Sequence, residues 1–513
     1  MNESGKPSGI TKVIAASSVG TLIEWYDFYI FGSLAVLIGK HLFPTDAGAS
    51  ALINTLAIFA AGFIVRPFGA LVFGRLGDIV GRKYTFLLTL ILMGGSTFAI
   101  GLIPGYQTIG YAAPVLVLIM RLLQGLALGG EYGGAATYVA EHSPAHRRGF
   151  FTSWIQTTAT LGLFLSLGVI LATKSLLGDE DFNEWGWRIP FLVSVLLVLV
   201  SIYIRMKMSE SPAFAKLKKE GKVSGNPLRE SFRKRSNFKM VLLALFGAVM
   251  GQGVVWYTGQ FYAQSFIENV CKINFEQSRT ILLWAILFAT PFFIVFGSLS
   301  DRIGRKWIMM AGLLLGVLTY RPIYSAFISL SDTKTKTELT ERATVGQETS
   351  LIAGSQDSMQ TITTMKHYSD GLMVKEVRKE KRSPEAKQEK AFADAPRIEK
   401  TLPPGTYWLF VLLVFVQILY VTMVYGPIAA FLVELFPTRI RYSSMSLPYH
   451  VGNGVFGGLV PFLGTLIVSF TMTKENPAGD PLAGLWYPIG VAALCLVIGT
   501  IYLSNKRDED VMD

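Results

Sequence analysis

Charge is scarce in this chain. Lys and Arg number 47 and Asp and Glu 36, so charged residues make up 16% of 513, against roughly 25% in an average soluble protein. A soluble chain of this length would read as about three domains, each needing a charged surface that this composition cannot supply. The scarcity deepens outside one stretch. Residues 331–400 hold 13 Lys/Arg and 12 Asp/Glu, which leaves 58 charges for the other 443 residues. Cysteine is scarcer still. Cys271 and Cys495 are the only two, which excludes a disulfide scaffold and a four-thiolate zinc site. Cys495 lies in an apolar run and reads as a small buried hydrophobe. No cleavable signal peptide is expected, because the first apolar stretch contains Glu24-Trp25-Tyr26-Asp27 and no small-residue cleavage site follows a short core.

Long apolar runs are abundant. Runs of about 20 residues, the length that crosses a bilayer as helix, recur near 13–38, 51–73, 84–103, 113–138, 150–173, 188–206, 239–264, 279–299, 307–328, 407–433, 443–469 and 483–503. Lipid tolerates only helices or closed barrels, and barrel strands would alternate in short segments. The expectation is an all-α polytopic membrane protein with twelve spans. Connections after even-numbered spans carry twenty-one Lys/Arg, and those after odd-numbered spans carry six once 331–400 is set aside. By the positive-inside rule both termini are expected in the cytoplasm and 331–400 outside. Residues 205–239 alone hold eleven bases against three acids. Most of the net charge of +11 is thus a topology signal, and no nucleic acid is needed to explain it. The 331–400 insert, rich in Thr, Ser, Lys and Glu, is expected to be disordered in part, with a charged helix over 374–390.

The chain repeats itself. Gly74-Arg75-Leu76-Gly77-Asp78-Ile79-Val80-Gly81-Arg82-Lys83 follows span 2, and Gly297-Ser298-Leu299-Ser300-Asp301-Arg302-Ile303-Gly304-Arg305-Lys306 follows span 8, 223 residues later. Glu141 with Arg147 and Arg148 after span 4 matches Glu434 with Arg439 and Arg441 after span 10, at an offset of 293. The two offsets differ by 70, the length of the insert. Two six-span units are therefore expected, 1–204 and 239–513, joined by a basic linker, 205–238.

With these motifs the chain resembles a major facilitator superfamily transporter. Within that superfamily it is similar to the metabolite:proton symporters. The resemblance rests on Glu24-Trp25-Tyr26-Asp27-Phe28, Arg66-Pro67-Phe68-Gly69, Arg121-Leu122-Leu123-Gln124-Gly125, Gly129-Gly130-Glu131-Tyr132-Gly133, Trp185-Gly186-Trp187-Arg188-Ile189-Pro190-Phe191 and Glu210-Ser211-Pro212-Ala213-Phe214. It implies two six-helix bundles around a central cavity, and symport with protons of citrate, 2-oxoglutarate, shikimate, another carboxylate, proline or betaine. It also implies that the two decapeptides latch the cytoplasmic gate through Gly74, Asp78, Gly81, Arg82, Lys83, Asp301, Gly304, Arg305 and Lys306.

Charge within a bilayer needs a reason. The first unit has Glu24, Asp27 and Glu131 within its spans, with Arg66 and Arg121 as bases. Three acids against two bases leave one carboxylate as a candidate proton carrier. Arg66 and Arg121 are candidate substrate ligands, with Tyr132, Trp256, Tyr257, Gln260, Tyr425, His450 and Asn453. Gly452-Asn453-Gly454-Val455-Phe456-Gly457 fits a dinucleotide fingerprint but lies inside a span with no preceding strand. His142 and His146 flank Pro144 in a short loop, so no metal site is expected there. No nucleophile–base pair appears, and neither enzyme chemistry nor a cofactor beyond the proton gradient is expected. The expected protein is a monomer of the inner membrane that imports a small organic acid or zwitterion with protons. A proton-independent facilitator, an exporter on the same fold, or a sensor using the insert are the alternatives.

Overall fold

A computed structural model describes residues 8–44, 49–207, 209–351, 358–382 and 396–505. Helices dominate, in the order the apolar runs set. Spans 1 to 6 are Ser8–Leu42, Ala49–Ile64 with Arg66–Ile79, Arg82–Leu102, Ala112–His142, Ala145–Gly178 and Gly186–Met206. Spans 7 to 12 are Arg235–Asn269, Phe275–Ile303, Arg305–Ser331, Pro404–Leu435, Thr438–Phe470 and Ala483–Tyr502. Eleven of these are long and apolar enough to cross a membrane. Span 2 is the twelfth. It is broken between Ile64 and Arg66, because Pro67 cannot donate a backbone hydrogen bond and disfavours helix in the residue before it.

The second unit shares one apolar core, while the first is divided into three smaller clusters. Buried ion pairs lie among the clusters of the first unit. The linker contains two short helices, Pro212–Lys219 and Pro227–Arg233, with Ser211 and Asn226 capping their first turns.

Over its described residues the insert corrects the expectation of a charged helix, and the expectation of partial disorder falls also on 352–357 and 383–395, which lie outside the described residues. It is a four-stranded antiparallel meander of β1 (Thr344–Leu351), β2 (Ser358–His367), β3 (Met373–Arg382) and β4 (Arg397–Thr401), in that order across the sheet. The helix expected over 374–390 is β3 as far as Arg382; the remainder lies outside the described residues. Composition concealed a period of two. Val374 is buried with Leu372 and Leu402 against the core of the second unit, and Lys366 on β2 pairs with Glu376 on β3 at 3.3 Å. Cross-strand pairs of this kind stabilise a sheet as i,i+4 pairs do a helix.

The sheet is fastened to the ends of spans 7 to 10 that lie away from the decapeptides. Lys400 N–H donates to the Lys272 carbonyl at 2.7 Å, and Asn274 N–H donates to the Lys400 carbonyl at 2.9 Å. Gln277 bonds both backbone groups of Leu402, at 3.0 and 2.7 Å. Cys271 lies under this joint, and burial pushes its thiol up to about 11. A thiol held so far above neutrality is unreactive. Gln277→Ala removes two bonds of roughly 1 kcal/mol each, so maleimide labelling of Cys271 at pH 7 is expected to quicken about tenfold or more. A Cys271→Ser background checks the assignment, and an unchanged rate would mean that the joint does not control access.

Candidate functional site

Spans 1, 2, 7, 10 and 11 enclose a central cavity of about 50 Å3, enough for a few water molecules. Glu24, Arg66, Trp256, Tyr257, Tyr425, His450 and Asn453, all singled out in the sequence, line it. Trp25, Phe28, Phe63, Tyr449 and Gly454 line it too and were missed. The missed aromatics have no charge to mark them in apolar runs. The two units meet around the cavity, with Trp25 5.5 Å from Trp256 and Phe28 6.1 Å from Phe261.

The other expected ligands lie elsewhere. Tyr132 stacks flat on Tyr449, with ring centroids 3.7 Å apart, and accepts a hydrogen bond from Gln156 at 2.8 Å. Tyr425 and Tyr449 bond each other through their hydroxyls, so the stack joins span 4 of the first unit to spans 10 and 11 of the second beside the cavity. Gln260 sits in a π-helical turn of span 7, Thr258–Tyr262, and is not in the cavity wall. Asn453 exchanges both amide bonds with Gln252, at 3.0 and 2.9 Å.

The count of three acids against two bases is corrected by Arg205. Assigned to the cytoplasmic linker on sequence, it is buried at the end of span 6 and donates to Glu131 at 2.7 Å. Thr89 donates to the other Glu131 oxygen at 2.8 Å. Each of the three acids therefore has an arginine. Arg121 donates to Asp27 at 2.8 Å and to Gln124 at 2.7 Å, while Gln124 donates to Asp27 at 2.9 Å and to Thr97 at 2.8 Å. These two pairs are buried and closed at hydrogen-bond distance. Glu24 and Arg66 differ: their closest approach is 3.9 Å, and both side chains retain some exposure. Arg66 Nε and His450 Nε2 have no hydrogen-bond partner among the described residues. The cavity thus presents one loosely held carboxylate, one guanidinium and one imidazole within an aromatic box.

Removing one member of a buried ion pair leaves an uncompensated charge and costs about 3–5 kcal/mol. Arg205→Leu is expected to lower stability by that amount, read as the denaturation midpoint in detergent. Adding Glu131→Gln should recover most of the loss; no recovery would assign the loss to packing.

At the decapeptide end the two units are tied symmetrically. Asp78 accepts from the backbone N–H groups of Tyr442 and Ser443, at 3.2 and 2.8 Å, in the first turn of the span 11 helix. Asp301 accepts from Gly149 and Phe150 N–H, both at 2.8 Å, in the first turn of the span 5 helix. Each aspartate caps a helix of the opposite unit, where the unpaired N–H groups and the dipole favour an anion. Gly81 and Gly304 make the tight turns, with φ of +139° and +99°, in a region that favours glycine. Gly74 and Gly77 serve close approach instead. A Cβ at Gly77 would lie 2.0 Å from the Tyr442 ring.

The basic residues of the decapeptides divide. Arg82 donates across the seam to the Thr438 carbonyl at 2.6 Å and approaches Asp78 and Glu141 at 3.2 and 3.6 Å. Arg441 pairs with Glu141 across the same seam at 2.7 Å. Arg305 pairs within its own unit, with Asp301 at 2.6 Å and Glu434 at 2.9 Å. Lys83 and Lys306 donate to the Met206 and Thr500 carbonyls of their own units. Those three do not cross the interface as expected.

Comparison with known proteins places this geometry. Residues 12–225 match the family described as "Sugar (and other) transporter". The inner membrane metabolite transport protein YhjE of Escherichia coli (strain K12) is 39% identical over 300 residues, 58% of this chain and 68% of that protein. The chain belongs to this family of the major facilitator superfamily. It is a multi-pass membrane transporter of small molecules and not an enzyme. A proline/betaine transporter of Salmonella typhimurium (strain LT2) is 37% identical over 313 residues, 59% of this chain, which spans 62% of that transporter's length. The solved structure of the proton:xylose symporter XylE bound to 6-bromo-6-deoxy-D-glucose superposes with a TM-score of 0.64 at 16% identity, covering 97% of this chain and 96% of the other. That likeness is one of fold: twelve helices in two six-helix bundles.

Proposed function

We propose that this transporter carries a small organic acid or zwitterionic metabolite into the cell together with protons, by alternating access of the central cavity. It would work in the inner membrane with both termini and the decapeptides on the cytoplasmic side. The observation that carries the reading is the loose Glu24–Arg66 pair in the cavity wall, 3.9 Å apart, beside two pairs that are tightly closed. A substrate carboxylate competes for Arg66. When it takes the guanidinium, Glu24 loses the cation that stabilised its charged form and takes up a proton. Linkage is reciprocal, so a proton on Glu24 frees Arg66 for substrate. Asp27 and Glu131 keep their own arginines through the cycle and set the helix register.

The aromatic box supports a compact substrate. Trp25, Trp256 and Tyr257 offer ring faces to a cationic or apolar body, and Arg66 is the sole Lys or Arg in the described lining. One guanidinium suits one carboxylate better than three.

Proteoliposomes with an imposed pH gradient test the reading across di- and tricarboxylates, shikimate, proline and betaine. Uptake of at least one compound, with alkalinisation of the outer medium on its addition, is expected. Uptake without proton movement would instead make the protein a facilitator. Full uptake after removal of the insert would exclude a sensor that signals through it.

A further inference from the structure

Span 2 turns an apolar stripe outward toward its decapeptide end. Phe68, Val72 and Ile79 are 61%, 58% and 37% exposed, at spacings of four and seven residues that keep one helix face. On a membrane transporter such a face meets acyl chains. Arg75 interrupts it, three residues after Val72 and four before Ile79. Its side chain is exposed and has no ion-pair or hydrogen-bond partner among the described residues. The acids closest to it along span 2 and on the neighbouring linker helix are already engaged. Asp78 accepts from Tyr442 and Ser443 N–H, and Glu230 pairs with Arg439 at 3.3 Å. A guanidinium set within a lipid-facing apolar stripe is costly unless an anion meets it.

The surface is not flat at this point. The linker helix Pro227–Arg233 packs against span 2, and its Leu228 closes a groove of about 420 Å3 with Leu71, Val72, Arg75, Leu76 and Ile79. Five of these six side chains are aliphatic, and Arg75 is the one polar member. Beyond Leu228 come Arg229, Arg233, Lys234 and Arg235, all exposed and without an acidic partner among the described residues. That basic collar attracts a headgroup of net negative charge and repels one that carries its own cation.

We infer that this groove seats one anionic phospholipid from the leaflet on the decapeptide side. An acyl chain lies along the aliphatic wall, and the phosphate sits on Arg75. The location gives the lipid a task. Ser231 on the linker helix shares a hydrogen bond with Ser444 at 2.8 Å, and the adjacent Ser443 N–H donates to Asp78 at 2.8 Å. The lipid therefore joins span 2 of the first unit to a linker helix that is tied to span 11 of the second. Its presence favours the closed decapeptide seam. None of this depends on the proton coupling proposed above, so a failed uptake assay would leave it standing.

The full-length protein in phosphatidylcholine nanodiscs, with a trace of phosphatidylglycerol that is photoreactive along its acyl chain, tests the seat. Labelling is expected at residues 71–79 and Leu228, about fivefold above the exposed face of Leu196, Leu199 and Tyr203 on span 6, because one base near a bilayer surface contributes about that preference for an anionic lipid. The same photoreactive group on phosphatidylcholine should show no preference, and inorganic phosphate should not compete. Arg75→Gln should bring the groove down to the level of span 6, and Arg75→Lys should restore most of the difference. The gate is read separately in proteoliposomes, at a cysteine introduced by Gly454→Cys in the cavity lining. Maleimide from the decapeptide side should react there about fivefold more slowly with phosphatidylglycerol in the bilayer than with phosphatidylcholine alone, and Arg75→Gln should remove that difference. Equal labelling by the two lipids would make the contact ordinary bilayer solvation, and competition by phosphate would make it a site for free anions. A maleimide rate indifferent to phosphatidylglycerol would separate the lipid from the gate. Any of these three results overturns the inference.

Discussion

Replacing Asp78 and Asp301 together by asparagine should open the cavity to the cytoplasm and abolish accumulation, while both bundles remain folded. Each carboxylate receives two backbone N–H groups from the first turn of a helix in the opposite bundle. Asparagine keeps one acceptor oxygen and loses the charge. Hydrogen bonds to charged groups contribute about 1.5–3 kcal/mol each, so weakening both caps removes roughly 3 kcal/mol from the closed arrangement. That amount shifts a two-state equilibrium by about a hundredfold. The variant is expected to be labelled from the cytoplasmic side at Gly454→Cys, a cavity position with open space for a Cβ, at least tenfold faster than the same cysteine in the otherwise native protein. Either single variant should give an intermediate rate, since each cap is a separate pair of bonds to a different helix. Equal labelling in all four proteins would mean that the aspartates do not hold the gate.

The architecture of this transporter was legible because a bilayer imposes few solutions. Apolar length gave the spans, and the difference of 70 between the offsets of the two repeated motifs gave the bundles and located the insert. That Asp78 and Asp301 cap helices across the seam was not legible, because the N–H groups they accept from lie 364 and 365, and 152 and 151, residues away. Arg205 was misassigned for a related reason. A base at the end of a span looks like a topology signal whether it enters the cytoplasm or turns back to a buried acid such as Glu131. Seven of the cavity-lining residues were legible as polar or aromatic residues in spans. Phe28 and Phe63 were not, because an aromatic ring facing a cavity is spelled the same as one facing lipid. The insert was misread because residue counts register its charges while the strand period that buries Val374 escapes them.

The second large effect falls on Glu24. Glu24→Gln is expected to abolish proton-driven accumulation while leaving substrate exchange largely intact. Glutamine approximates the protonated carboxyl in shape, so the substrate-competent form becomes permanent and Arg66 is always free. A pH unit is worth 1.36 kcal/mol per proton, so a gradient of two units supports about a hundredfold accumulation for each proton carried. Without the titrating group that ratio should fall to about one. Counterflow needs no net proton movement, and it should retain a rate within about threefold of the unaltered protein if binding is preserved. Asp27→Asn and Glu131→Gln separate the carrier from its neighbours. Each breaks a buried pair that is already closed, by 2.8 and 2.7 Å contacts, and each leaves an arginine without its counter-charge. Their expected cost is about 3–5 kcal/mol of stability, with coupling intact in whatever protein still folds. The decisive pattern is therefore a crossing of two readouts. Loss of accumulation with retained counterflow at Glu24 alone identifies the proton carrier; the same pattern at Asp27 or Glu131 would move the proton to that pair.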